Sequence, residues 1–131
     1  KSAEQGNASA QYSVGNAYYF GQGVGQDYEQ AFTWFRKSAE QGDPEAQVNV
    51  GYMYEQGLGT KKNMKEAFNY AQLAAESDHV VGQFNLAEFY RDGFDFVTQD
   101  LEVALYWFSL SADQGDEDAA VERDKLLKLI K

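Results

Sequence analysis

The sequence of 131 residues contains no cysteine, one proline and one histidine. Without cysteine the chain forms no disulfide and no thiolate metal site, and a lone His79 excludes a site built from two histidines. The single Pro44 and the sparse β-branched residues argue against a strand-rich fold. No apolar run reaches the roughly 20 residues needed to cross a bilayer, so membrane insertion is not expected. Lack of cysteine suits reducing and oxidising compartments alike, so the localisation stays open.

The formal net charge is −10, with 21 acidic and 11 basic side chains. Nucleic-acid binding needs a positive surface, so the charge argues against a nucleic-acid partner. It argues equally against an anionic membrane surface. Two interpretations of the acidity remain. It keeps the domain soluble, or it gives the protein a preference for basic protein partners.

A repeat of 36 residues organises the chain. The string Lys1–Gly6 recurs without change as Lys37–Gly42, and a fourth copy of its end indicates one extra residue in the third unit, near Phe96. This periodicity predicts a single domain, 1–131, with units of about 2–37, 38–73 and 74–110 and a capping half-repeat, 111–131. The columns that keep phase are Ala10, Ala46 and Gly82; Gln11, Gln47 and Gln83; Tyr18, Tyr54 and Tyr90; Ala31, Ala67 and Ala104; and Trp34, Tyr70 and Trp107.

Each unit carries two apolar patterns of helical period. Polar residues that favour helix starts precede both apolar patterns. The repeat register places His79 at one such start, which favours a capping role for it over a catalytic one. The glycine-rich stretches Gly21–Gly25 and Gly57–Gly59 predict the turns between the helices. The expected starts are Asn7, Asp43, His79 and Asp116 for the first helices, and Asp27, Asn63 and Asp100 for the second.

The apolar columns also predict the core. The first helix is expected to bury a stripe of Ala10, Val14, Ala17 and Tyr18, and the second helix one of Ala31, Trp34, Phe35, Ser38 and Ala39. Small residues at 15 and 31 allow two helices to approach closely. In the last helix, Ala119, Leu126, Leu127 and Ile130 are expected to face inward, with charged residues on the remainder. One helix hairpin cannot bury its apolar stripe alone, whereas stacked copies can. We therefore expect an antiparallel helical solenoid with right-handed curvature.

The residues Ala10 to Gly42 resemble the Sel-1-like repeat, a relative of the tetratricopeptide repeat. They contain Ala-Gln-x-x-Val-Gly-x-x-Tyr, a Gly-x-Gly turn, and Ala-x-x-Trp-x-x-Lys-Ser-Ala-Glu-Gln-Gly. The third unit departs from the pattern, with Asp78 at the turn glycine and Gly82 at the alanine. The resemblance implies an all-α, α-α superhelix of about three and a half helix hairpins with a C-terminal capping helix. It also implies an adaptor or scaffold role.

No pattern of a catalytic, metal or cofactor site is present. There is no Gly-x-Ser-x-Gly elbow and no serine followed three residues later by lysine. The Gly21–Gly25 run follows a helix rather than a strand and lacks the lysine of a phosphate loop. We therefore expect no enzyme, no catalytic residue, no metal and no cofactor, and a hydrolase is the least favoured alternative.

The first helices leave one helically spaced set of positions outside the core, namely 9, 12, 16, 19 and 20 of the first unit. In helix-hairpin solenoids such positions line the concave face. They predict a groove that binds a protein or peptide segment, although the first row can instead pack between repeats. By translation along the repeat the groove residues are Tyr12, Asn16, Tyr19, Val48, Tyr52, Glu55, Phe84, Glu88 and Arg91.

The leading hypothesis is a binding module that acts as a monomer, and the rival is a structural spacer within a longer repeat protein. Lys1–Gly6 repeats the end of a second helix, which favours a longer array over a short ordered leader.

Overall fold

The structure is a computed structural model, and it describes residues 6–130. In this range the chain forms seven α-helices, six of 13 residues and a last one of 14, and no helix is long and apolar enough to cross a membrane. The only extended pairing there is an isolated bridge between Phe94 and Val97. The helices are α1 (Ala8–Phe20), α2 (Tyr28–Glu40), α3 (Pro44–Gln56), α4 (Met64–Glu76), α5 (Val80–Asp92), α6 (Leu101–Asp113) and α7 (Glu117–Ile130).

The helices begin at the predicted caps. Asn7 Oδ1 accepts a hydrogen bond from the backbone N–H of Ala10 at 2.9 Å, so it satisfies one of the free donors of the first turn. His79 Nδ1 accepts from the backbone N–H of Val81 at 3.1 Å, which confirms its capping role. Side-chain oxygens act in the same way at Asp27, Asp43, Asn63, Asp100 and Asp116.

Each loop between the two helices of a repeat is anchored at the same place. The backbone N–H of Asp27 donates to Tyr18 O at 2.9 Å, and the N–H of Asp100 donates to Tyr90 O at 2.8 Å. The first two loops have seven residues and the third has eight, so the extra residue lies where it was predicted. In the third loop Phe94 and Val97 exchange backbone hydrogen bonds, and this small turn holds the additional residue.

The chain packs as two compact units, one up to Tyr70 and one from Ala71. In the first unit α2 packs against both α1 and α3. Phe35 is fully buried between them and lies against Gly15, where a Cβ would come within 2.6 Å of its ring. This contact confirms the predicted close approach at position 15. The fully buried apolar residues of this core include Ala31, Phe35, Ala46, Val50 and Met53.

In the second unit α6 packs against both α5 and α7. Phe108 occupies the place that Phe35 has in the first unit and is fully buried. Gly82 brings α5 close to α4, because a Cβ there would lie 2.6 Å from Ala74 Cβ and 2.8 Å from the Ala75 backbone nitrogen. Whether residues 1–131 form a single domain stays a prediction.

A buried serine links three helices in each unit. Ser38 Oγ donates to Ala8 O, and it also lies within hydrogen-bond distance of Asp43 Oδ2 at 3.0 Å. Ser111 Oγ makes the equivalent contacts with Val80 O and Asp116 Oδ2. The serine thus ties the end of one helix to the start of the helix before it and to the cap of the helix after it.

Two core predictions are wrong in α1 and α7. Ala10 and Val14 are only half-buried, whereas their equivalents Ala46 and Val50 are fully buried, because α3 has α2 before it and α1 has no preceding helix in residues 6–130. The segment Lys1–Gln5, assigned to the end of a further helix, lies outside the described residues.

In α7, Ala119 and Leu126 are buried as predicted, but Leu127 and Ile130 are 42% and 37% exposed. Among the described residues, no element covers that side of α7. The inward stripe of the last helix is therefore narrower than its apolar residues suggested.

The turn before α5 differs from the other repeats. Asp78 takes the place of the glycine found at 6, 42 and 115, and it is the one non-glycine residue with a positive φ, at 65°, in the described part of the chain. Aspartate tolerates this conformation better than most residues. The departure from the repeat pattern therefore keeps the backbone of the turn.

Candidate binding cleft

A cleft of about 400 Å³ lies between α1 and α3 in the first unit. Its volume falls within the range of ligand-binding clefts in proteins. Its walls carry four aromatic rings and two carboxamides, and none of the side chains is formally charged. The lining residues are Tyr12, Asn16, Tyr19, Phe20, Asn49 and Tyr52.

The aromatic wall stands on the core. The rings of Tyr12 and Tyr19 have their centres 5.4 and 6.2 Å from that of Phe35, so their orientation depends on this buried side chain. Phe20 lies edge-on to Tyr19 at 4.9 Å and is 60% exposed, and Tyr52 is 48% exposed. The cleft therefore combines two rings held by the core with two that are open to a ligand.

The polar groups of the cleft remain available for hydrogen bonding. Asn49 Nδ2 donates to the Tyr12 hydroxyl at 3.4 Å, while the side chain of Asn16 makes no hydrogen bond within the part of the chain described. Burial raises the pKa of Tyr19, and the neighbouring Tyr52 and Tyr28 raise it further. The Tyr19 hydroxyl is therefore protonated at neutral pH and can donate a hydrogen bond.

The cleft brings together four of the residues predicted from the sequence, namely Tyr12, Asn16, Tyr19 and Tyr52, and adds Phe20, one of the positions that the spacing had left outside the core. Asn49 was not predicted. It lies one turn before Tyr52 on the side of α3 that turns toward α1, so a spacing of three residues was the available signal. Val48 and Glu55 do not line this cleft.

In the second unit the equivalent positions carry charges that pair with one another. Arg91 Nη1 donates to Glu122 Oε1 at 3.0 Å, and Arg91 also pairs with Asp92 and with Glu88. The guanidinium lies 5.8 Å from the ring centre of Phe108, and Phe84 packs edge-on against the same ring. The predicted groove residues Phe84 and Arg91 thus hold α5 to α6 and α7, and Glu88 pairs with Arg91 on α5 itself.

The hydrogen bonds that Arg91 donates to Asp92 raise the pKa of Arg91 and lower the pKa of Asp92. A carboxyl whose pKa is lowered by folding stabilises the native state above its unfolded pKa, and this stabilisation is lost as the pH falls through the folded value. The contribution of the pair is therefore complete at neutral pH and disappears in acid.

Arg91→Met is expected to lower the free energy of unfolding by about 1–2 kcal/mol, because the partly buried Glu122 then keeps only its longer contact with the exposed Lys125, at 3.5 Å. Arg36→Met is the matched control. Arg36 and Glu40 are both more than half exposed, so their pair contributes under about 0.5 kcal/mol. Urea denaturation at neutral pH measures both. Equal losses for the two variants would contradict this account of Arg91.

The described residues contain no group of three or more acidic or histidine side chains able to hold a metal ion. In the cleft itself, the lining residues include no carboxylate, histidine or lysine to act as a base. What the cleft offers is apolar surface and hydrogen-bonding groups, which suit binding.

The model of the Sel1 repeat matches residues 8–43, 44–79 and 80–116. The chain belongs to the Sel1 repeat family. The third Sel1 repeat has 37 residues and the first two have 36, in agreement with the longer third loop. Sel1 repeat proteins generally mediate protein–protein interactions, and the family is generally a non-enzymatic scaffold.

Solved Sel1 structures share the fold. The crystal structure of c5321, a protective antigen of uropathogenic Escherichia coli strains with an SLR fold, is 39% identical over 93% of this chain, with a TM-score of 0.85. A Sel1 repeat protein from Oxalobacter formigenes is 35% identical over 91% of the chain, with a TM-score of 0.86. This chain spans 26% and 49% of those two proteins, respectively.

The cysteine-rich protein HcpB of Helicobacter pylori shows the same fold at 21% identity, with a TM-score of 0.70 over 86% of this chain and 90% of HcpB. The all-α, helical-repeat solenoid class predicted from the sequence is therefore confirmed. Among curated proteins, none matches the sequence significantly.

Proposed function

We propose that this Sel1 repeat chain is a non-enzymatic interaction module that binds a segment of another protein in the cleft between α1 and α3. One observation carries the proposal. Two exposed aromatic side chains, Phe20 and Tyr52, face the same uncharged cleft. Aromatic rings on a surface supply a large contact area at a low cost in conformational entropy, and they are frequent among the residues that dominate protein binding.

The position of the cleft supports this role. It lies on the first helices of two repeats, and α2, which packs behind them, supplies the buried Phe35 beneath it. A rigid base keeps the binding residues in place, so less order has to be imposed when the partner binds. The family's general role in protein–protein interaction agrees with such a site.

The test needs substitutions that remove contact area without disturbing the core. Tyr12 is unsuitable, since its ring packs on Phe35. Phe20 and Tyr52 are suitable because both are largely exposed, and Tyr106 on α6 is a matched control with 57% exposure outside the cleft. Alanine at any of these three sites should leave the melting temperature nearly unchanged.

The experiment is a selection of random peptides, displayed on phage, against the folded chain, followed by calorimetric measurement of the most enriched peptide. The double variant Phe20→Ala/Tyr52→Ala should bind that peptide about 30-fold or more weakly than the wild-type chain does. Tyr106→Ala should bind it with unchanged affinity. Failure to enrich any peptide, or equal affinity for the double variant, would overturn the proposal. The first of these results would favour the structural spacer instead.

A further inference from the structure

We infer that the cleft recognises an extended, uncharged peptide segment, whose main chain pairs with the carboxamides of Asn16 and Asn49 while its apolar side chains lie against the aromatic wall. This inference rests on the proposed function and names the class of segment that the site takes. It would exclude a basic peptide, which the overall charge of the chain suggests.

Most of the net negative charge belongs to the second unit, whereas the cleft belongs to the first. Residues 71–131 contain thirteen carboxylate side chains and five basic ones, whereas residues 1–70 contain eight and six. No charged side chain lines the cleft. Burying a charged side chain of the peptide against such a surface costs desolvation free energy, and the cleft has no opposite charge to offset it. The site therefore favours a neutral segment.

The carboxamides supply what a neutral main chain needs. A carboxamide both donates and accepts hydrogen bonds, so it can pair with the N–H and the C=O of a peptide unit together. Asn49 uses one donor on the Tyr12 hydroxyl, and its oxygen has no hydrogen bond in the described range. Asn16 offers its whole carboxamide. Two such groups on opposite walls allow main-chain recognition without a sheet edge.

The length of the cleft sets the length of the segment. Tyr12 and Phe20 are eight residues apart on α1, which corresponds to about 12 Å along the helix axis. An extended chain rises about 3.3 Å per residue, so the cleft accommodates three to four residues. We therefore expect a short linear segment that carries one or two apolar side chains.

The geometry of the rings favours side chains over planar ligands. Tyr19 and Phe20 are inclined at 73°, and Tyr12 is inclined at 49° to Phe35 beneath it. Stacking of nucleobases or sugar rings needs exposed parallel faces, and nucleic acid also needs a positive groove. The inclined, uncharged rings of the cleft are better suited to contact the apolar side chains of a peptide.

The test uses the enriched peptide from the phage selection. Its affinity should change less than about threefold between roughly 50 and 500 mM NaCl, because no charges pair on binding. The variant Asn16→Leu/Asn49→Leu should weaken it about tenfold or more. Asn85→Leu, at the equivalent column of α5, is the matched control and should leave the affinity unchanged.

Single N-methylation along the peptide then tests main-chain recognition. At one or two positions a methyl group should weaken binding to the wild-type chain about tenfold, and it should have little further effect on Asn16→Leu/Asn49→Leu. Such non-additivity identifies a direct interaction. The melting curves of all variants are measured in parallel to separate binding from folding.

The outcomes separate this inference from the proposed function. A peptide that depends on Phe20 and Tyr52 but carries lysine or arginine, loses affinity with salt, or shows no coupling to the asparagines would overturn the inference alone. Binding of a thymidine dodecamer or of maltohexaose to the cleft with higher affinity than the peptide would overturn it too. Failure to enrich any peptide overturns the proposed function itself.

Discussion

Replacing Phe35 with alanine is expected to lower the free energy of unfolding by about 3–5 kcal/mol and to abolish binding in the cleft. Phe35 is 1% exposed and fills the space between α1 and α2 against Gly15. Truncation removes its apolar contacts and leaves a cavity. Tyr12 and Tyr19 then lose the ring on which they rest, so the aromatic wall no longer has one orientation.

The control is Phe108→Ala, the same chemical change in the core of the second unit. Phe108 is fully buried, so the loss of stability should be similar, and its core cluster includes none of the residues that line the cleft. Both variants are studied by urea denaturation and by calorimetric titration with the selected peptide at a temperature where each is folded. If Phe108→Ala weakens the peptide as much as Phe35→Ala does, the role of Phe35 as the base of the cleft is wrong.

Where Phe35→Ala does not fold, Phe35→Leu provides the measurement. Leucine keeps the site apolar and costs about 1–2 kcal/mol, while it removes the flat surface beneath the two tyrosines. The peptide should then bind several-fold more weakly to a chain that remains folded. Unchanged affinity for Phe35→Leu would show that the tyrosines hold their positions without the ring.

Gly82→Ala is expected to destabilise the chain by about 2 kcal/mol, although the repeat suggests the opposite. The same column holds alanine at Ala10, Ala46 and Ala119, and alanine in place of glycine inside a helix gains about 1 kcal/mol from backbone entropy. Here the new methyl group would lie 2.8 Å from the Ala75 backbone nitrogen. A helix backbone cannot turn aside as a side chain can, so α4 and α5 must separate.

The control for Gly82→Ala is Gly25→Ala. Gly25 lies in an exposed loop, has no positive φ, and a Cβ there would meet no atom within 4 Å. Its replacement should change the free energy of unfolding by under about 0.5 kcal/mol. Thermal melts followed by circular dichroism compare the two variants. A higher melting temperature for Gly82→Ala would mean that the helices separate without cost.

Local features of the fold were predictable because they depend on neighbours in the sequence. The cap at Asn7 and the left-handed glycines follow from residues within one turn of the position concerned, while the cap at His79 and the extra residue of the third loop follow from the spacing of the repeat. Burial in α1 and α7 was not predictable in the same way. Burial depends on which helix covers each side. The apolar pattern that includes Leu127 and Ile130 does not indicate whether another helix packs against that side of α7.

The cleft was partly predictable for a similar reason. Helical spacing places Tyr12, Asn16 and Tyr19 on one side of α1, and translation by one repeat finds Tyr52. A shift by one repeat, however, finds residues on the same side of each successive first helix. A cleft between two such helices is lined by different sides of them, because the second helix contributes the side that faces the first. That side contains Asn49. The pairing of Arg91 with Glu122, 31 residues away, has no local signal at all.

The third loop shows which part of the repeat sets its length. The bond from Asp100 to Tyr90 O is the same as that from Asp27 to Tyr18 O, although one more residue lies between the helices. The turn of Phe94 and Val97 contains the addition, and both helices keep their 13 residues. Insertions and deletions during evolution can therefore accumulate in this loop without shifting the register of the helices. The repeat length of 36 residues reflects the usual length of the loop, and the fold does not require it.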